Sequence, residues 1–307
     1  ADADAGAAAA RAAACRVGHG AGLRRHLTGR HLWQDYKVGR TVARGSGDAG
    51  DACVRLLTGR ADGRSYAVKS FSTAGVSEQG MAMLRNEVDL CLCVDHPHIA
   101  RVHEVLETAD ELHVVMECLA GGEMYRRLGA RRRFPEVEAA AATRQMLRAV
   151  AYLHARRIAH RDLKLENFMY EAAGSEHLKL IDFGLAARWD AGSGAQFRIV
   201  CGSVHYMAPE VLLQEGYTEK ADMWSLGIIV HALLSGGMLF DGRDDQEIAR
   251  NIRGADGHSA PRLPGQSALA EDFVRALLAR DPAARPSAAE ALEHPWLSDG
   301  RAPKEAA

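Results

Sequence analysis

The stretch that most limits what this chain can be is His160-Arg161-Asp162-Leu163-Lys164-Leu165-Glu166-Asn167. Asp182-Phe183-Gly184 begins fifteen residues after Asn167. A carboxylate, a lysine two residues on and an asparagine five residues on crowd into one short loop. The second aspartate follows an apolar run, Leu178 to Ile181, that reads as a short strand ending in a turn. Phosphoryl transfer needs such parts: a carboxylate to take a hydroxyl proton, a cation for phosphate charge, and oxygen ligands for magnesium.

The rest of the composition narrows the class. At 307 residues the chain can bury a large core. Its 38 basic and 40 acidic side chains set up no strong long-range field. No nucleic-acid or membrane-surface partner is therefore expected. Cys15, Cys53, Cys91, Cys93, Cys118 and Cys201 show no paired metal spacing and read as six reduced thiols of a cytoplasmic protein, with nuclear entry compatible. The longest apolar run, Leu226 to Phe240, is too short and too interrupted to span a bilayer and predicts a buried helix.

In chain order, residues 1–35 form an Ala/Arg-rich extension with no acidic residue between Asp4 and Asp35, and its composition predicts disorder. Strand-like pattern begins at Tyr36 and leads into Gly45-Ser46-Gly47-Asp48-Ala49-Gly50, followed by Ala67-Val68-Lys69. Gly45, Gly47 and Gly50 would let backbone N–H groups approach phosphates without Cβ interference. Met83 to Val94 has apolar residues at helical spacing and carries Glu87. Leu112 to Glu117 reads as a strand that turns into Cys118-Leu119-Ala120-Gly121-Gly122-Glu123, and Glu138 to His154 as a helix. Met207-Ala208-Pro209-Glu210, Asp222-Met223-Trp224 and His294-Pro295-Trp296 follow.

These motifs, in this order, resemble those of eukaryotic serine/threonine protein kinases over Tyr36 to Leu297. The Gly-Gly-Glu-Met and His-Pro-Trp stretches make the kinase domain of plant and protist calcium-dependent kinases the nearest resemblance. The implied fold is α+β and two-lobed: an antiparallel-sheet lobe over 36–117 with one main helix, then a mainly helical lobe over 118–297, with residues 298–307 as a tail.

The resemblance also implies roles. Asp162 would accept the substrate hydroxyl proton, and Lys164 would stabilise the transferring phosphoryl group. Lys69, held by Glu87, would meet the α- and β-phosphates of ATP, while Asn167 and Asp182 would hold Mg2+. Val54, Ala67 and Met169 would sandwich the adenine, Met116 would gate the pocket behind it, and backbone groups of Glu117 and Leu119 would meet its edge. Glu123 would sit at the ribose or at a basic substrate side chain, and Glu123 with Glu166 would favour protein substrates with arginine upstream of the acceptor. A nucleotide-binding pseudokinase is the alternative.

The glycine loop departs from the family pattern. Counting back from Lys69 makes Gly47 its first residue, and counting forward from Tyr36 makes Ala43 the first. The discrepancy of four residues implies an insertion near Gly47–Gly50. The usual activation-loop phosphothreonine position holds Ile199, with Ser193 the nearest other hydroxyl upstream, so activation without loop phosphorylation is expected. No calcium-binding Asp-x-Asp-x-Asp-Gly loop occurs, so a regulatory calcium-binding segment or protein, compatible with the resemblance, is absent from this chain.

Overall fold

The computed structural model describes residues 25–47, 50–189, 196–254 and 263–298. Two compact units emerge. One takes the described residues up to Asp95 together with Arg101–Cys118; the other takes His96–Ala100 and the described residues from Leu119 on.

The first unit comprises β1 (Arg25–Thr28), α1 (Leu32–Asp35), β2 (Tyr36–Gly47), β3 (Gly50–Gly59), β4 (Ser65–Ser72), α2 (Glu78–Cys93), β5 (Val102–Glu107) and β6 (Glu111–Glu117). Its strands form one six-stranded sheet in the order β1-β5-β6-β4-β3-β2. All neighbours are antiparallel except β1 and β5, which run parallel. Opposed residues of antiparallel strands point to the same face. Leu57, Val68, Leu106 and Val115 thus share one face, where they pack with Leu32 and Tyr36 as the core cluster. Val54, Ala67, Lys69 and Met116 take the other face. Helix α2 starts at Ser77, whose side chain accepts from the Gly80 N–H, and buries Leu84, Glu87, Val88 and Cys91, an i, i+3, i+4, i+7 stripe.

Residues 25–35 are ordered, which corrects the expected extension over 1–35. Gly29 N–H donates to Glu107 O, Leu32 is buried in the core cluster and Leu27 packs against it. Leu27 and Leu32 lie too far apart for a periodic pattern, and the strand they need is remote in sequence. Residues 1–24 of that extension and most of the expected tail over 298–307 lie outside the described residues.

The second unit holds α3 (Met124–Arg131), α4 (Glu136–Ala155), β7 (Ile158–Ala159), β8 (Phe168–Tyr170), β9 (Leu178–Leu180), β10 (Ala187–Arg188), α5 (Pro209–Leu213), α6 (Lys220–Ser235), α7 (Asp245–Gly254), α8 (Ala268–Leu277) and α9 (Ala288–Leu292). Two small antiparallel pairs, β7–β10 and β8–β9, flank the functional loops. Helix α6 is buried all round from Ala221 to Leu234, as its apolar sequence predicts. A Cβ on Gly227 would lie 2.7 Å from the Leu278 side chain, so only glycine lets α6 approach the end of α8 this closely. No helix among the described residues is long and apolar enough to cross a membrane. Cys53, Cys91, Cys118 and Cys201 are free thiols, and Cys15 lies outside the described residues.

Candidate active site

In the sheet unit, Lys69 on β4 meets Glu87 on α2, Nζ to Oε1 at 2.7 Å, with the side chains 18% and 7% exposed. Lys69 is opposed by Val54 on β3, and Ala67 by Met116 on β6. Val54, Ala67 and Met116 are half-buried and share the face of the lysine. The Glu117 N–H donates to Arg101 O, and its carboxylate accepts from the Arg101 N–H at 2.7 Å, which fixes the end of β6.

The glycines lie at the far end of the β2–β3 hairpin. Gly45 opposes Ala52, and Gly47 opposes Gly50, leaving residues 48 and 49, outside the described residues, to join the strands. Extra length enters elsewhere too. Gly39 and Arg40 oppose only Leu56, and Val42 falls between Thr41 and Ala43, whose partners Arg55 and Val54 are adjacent. These two bulges add residues to β2 well before the tip, so the expected insertion at Gly47–Gly50 does not account for all of the four-residue discrepancy.

In the helical unit, a buried carboxylate shapes the loop from His160 to Asn167. Asp222 on α6 accepts from the backbone N–H of His160 at 2.9 Å and of Arg161 at 2.8 Å, and from His154 Nε2 at 2.8 Å. Burial alone would raise its pKa, but the bonds from His154 and His160 outweigh that and hold the carboxyl below its usual range. Arg161 sits at φ 65°, a conformation unfavourable for arginine that these bonds maintain. Asp222 opens the Asp222-Met223-Trp224 stretch noted in the sequence, whereas only the packing of α4 against α6 brings His154 to it.

Asp162 is surrounded by donors. Its Oδ1 accepts from the Ser203 N–H and hydroxyl, both at 3.0 Å, and its Oδ2 accepts from Lys164 Nζ at 2.6 Å. Lys164 Nζ also donates to Ser203 Oγ at 3.1 Å, so the two side chains hold an aliphatic hydroxyl between them. Gly202 makes this approach feasible: its φ is 105°, and a Cβ there would lie 2.6 Å from Arg161 O.

Asn167 Nδ2 donates to Asp162 O at 2.8 Å, which leaves the amide oxygen as its acceptor end. Ile181 N–H donates to Asn167 O, tying the start of Asp182-Phe183-Gly184 to this loop. Asp182 has φ 65°, and its Oδ1 accepts from Gly184 N–H at 3.2 Å, while Phe183 is buried against His160. Nearby, Glu123 and Met169 form an isolated bridge, Glu123 pairs with exposed Arg126, and Glu166 accepts from Tyr206 at 3.4 Å. Leu119 begins the longer stretch of this unit, next to the bend that Gly121 N–H makes by donating to Tyr170 O.

Farther off, Arg285 makes a two-pronged pair with Glu210, at 2.6 and 2.8 Å. Both side chains are buried and lie outside the cluster, as befits a structural pair.

Residues 36–297 match the protein kinase domain family. The chain is 39% identical over 240 residues to human serine/threonine-protein kinase H1, covering 78% of this chain and 56% of that protein. It is also 39% identical over 266 residues to calcium-dependent protein kinase 9 of Oryza sativa subsp. japonica, covering 85% of this chain and 45% of the relative. With CDPK-related kinase 4 of Arabidopsis thaliana it shares 38% identity over 279 residues, 88% of this chain and 46% of that one. It spans about half the length of these relatives. The match over 36–297 shows that this chain belongs to the protein kinase family.

Proposed function

We propose that the chain transfers the γ-phosphoryl group of ATP to serine or threonine hydroxyls of proteins. The observation that carries this is the hydroxyl held between Asp162 and Lys164, which Ser203 supplies within the chain itself. A substrate hydroxyl in the same position would give its proton to Asp162 as its oxygen bonds to the γ-phosphorus and the bond to the ADP oxygen breaks. The Lys164 ammonium stays beside the developing charge on the phosphoryl oxygens, and Lys69, oriented by Glu87, binds the α- and β-phosphates.

The donor set suits magnesium. Asn167 and Asp182 offer hard oxygen ligands, and the amide NH2 of Asn167 is already committed to Asp162 O. Mg2+ is held in such sites by one or two protein oxygens together with phosphate oxygens, which Asn167 and Asp182 would match. When bound, Mg2+ would neutralise charge on the phosphates.

The binding-only alternative loses its ground, since every group that turnover needs is present and the Lys69–Glu87 pair is formed. Glu123 and Glu166 support a preference for arginine upstream of the acceptor. Exposed Arg126 already shows that Glu123 can pair with a guanidinium. Calcium control, suggested by the relatives' names, would come from a segment or protein other than the residues described.

The test is phosphate transfer from Mg-ATP to two peptides that differ only in the acceptor, serine or tyrosine, each with and without an upstream arginine. Transfer to the serine peptide alone, stronger with arginine, is the expected result. Transfer to tyrosine instead would overturn the assignment. An arginine effect that survives both Glu123→Gln and Glu166→Gln would remove these glutamates from specificity.

A further inference from the structure

The segment that carries Ser203 to Asp162 is braced by an aromatic residue that the kinase reading leaves without a role. Phe197 pairs with Tyr217 through two backbone bonds, each N–H donating to the other's carbonyl at 2.9 Å. Their rings meet at 5.4 Å between centroids. Tyr217 Oη donates to Ile199 O at 2.8 Å and lies 3.5 Å from Cys201 Sγ, so it grips the segment at three successive odd positions. On its other side Phe197 takes the guanidinium of Arg161 over its ring, 4.9 Å from the centroid. Arg161 Nε in turn donates to Leu185 O at 2.7 Å, and the Arg161 N–H donates to Asp222. One ring therefore ties four stretches together: the catalytic loop at Arg161, the turn after Asp182-Phe183-Gly184 at Leu185, the acceptor loop at 197–203, and Tyr217 ahead of α6.

Arginine stacks well on aromatic faces because its planar, weakly hydrated cation is attracted to the ring's negative face. Ile199, by contrast, is 67% exposed and can take no phosphate. We propose that Phe197 is a positioning residue: its ring on Arg161 and its pairing with Tyr217 hold Gly202–Ser203 against Asp162, so that the acceptor site stands ready without phosphate on this segment. The inference rests on the kinase reading above and names how the same site is kept assembled.

The test uses phosphatase-treated protein and the variants Phe197→Ala, Phe197→Leu, Phe197→Tyr and Phe197→Glu, with KM and kcat measured separately for peptide and for ATP. Phosphatase treatment should leave the wild-type rate unchanged. Phe197→Ala should lower kcat/KM for peptide about tenfold, as expected for losing a partly desolvated cation–π contact, with KM for ATP unmoved. Phe197→Tyr should keep the wild-type rate. Phe197→Leu keeps apolar bulk without a ring face, whereas Phe197→Glu loses the bulk but gives Arg161 a carboxylate. The brace predicts that Glu outperforms Leu, and plain apolar packing predicts the reverse. Phosphatase-sensitive activity, an unaffected Phe197→Ala, or Leu outperforming Glu would each overturn the proposal. If Phe197→Ala fails to fold, the Leu and Glu variants decide. Hydrogen exchange at the Phe197 and Tyr217 amides reads the brace without turnover. Slow exchange in an inactive wild type would sink the kinase reading and keep the brace, and fast exchange in an active one would do the opposite.

Discussion

Two ion pairs of nearly equal length do opposite jobs in this protein. Arg285–Glu210 closes at 2.6 Å and Lys69–Glu87 at 2.7 Å. The arginine is fully buried, its fork matches both carboxylate oxygens, and its remaining N–H groups donate to the carbonyls of Ala279, Lys220 and Arg280. Nothing is left over for a ligand, and a buried pair so completed is costly to break by removing one partner. Lys69 offers a compact ammonium, still 18% exposed, on a half-buried face beside Val54, Ala67 and Met116. It can keep Glu87 and meet an anion as well. Distance does not separate structure from function here; burial of the cation does, complete for Arg285 and partial for Lys69.

That contrast can be broken by experiment. Arg285→Ala should have the largest effect, costing about 3–5 kcal/mol of stability because Glu210 is left charged and buried. Urea unfolding would read it, and a loss below about 1 kcal/mol would put this pair with ordinary surface bridges. Lys69→Met should reverse the pattern. It should lower kcat/KM at least about a hundredfold, roughly 2.7 kcal/mol of transition-state binding, while stability falls by much less than in Arg285→Ala. Equal losses in both quantities would erase the distinction drawn here. Leu32→Ala supplies an uncharged reference: deleting this buried side chain should cost about 2–3 kcal/mol with the rate per folded molecule unchanged. A variant as stable as wild type would mean that residues 25–35 do not anchor the sheet.

The smallest effect concerns pH. Asp222 has a folded pKa below the ordinary 3.8, so its contribution is present above that value and lost as pH falls through the folded pKa. The urea midpoint should therefore drop below about pH 4 in wild type, and this acid limb should shrink in Asp222→Asn. An unchanged limb would assign it to other carboxylates.

What could be read in the sequence follows how local the chemistry is. Asp162, Lys164 and Asn167 fall within six residues, and a loop that short must bring them together. Lys69 and Glu87 were placed by family frame rather than by spacing, yet the strand and helix that carry them were visible as separate patterns. The brace was not legible. Arg161, Phe197 and Tyr217 lie far apart in sequence, and phenylalanine and tyrosine are ordinary packing residues until the fold stacks them. His154 escaped for the same reason. The bulges at Gly39–Arg40 and Val42 were missed because the glycines at 45–50 drew the irregularity to themselves, while an unpaired residue inside a strand leaves no compositional mark. β1 was hidden by its neighbours' composition: Arg25–Thr28 is mostly polar and becomes a strand only beside β5.

The central claim is that Asp162 handles the acceptor proton, and its substitution by asparagine tests it most directly. Asp162→Asn keeps the volume and the contact with Lys164 but removes the base, so serine phosphorylation from Mg-ATP should fall at least about a hundredfold, as general-base loss implies. The melting rise caused by Mg-ATP should remain as in wild type. Phosphorylation at the wild-type rate by Asp162→Asn would contradict the account.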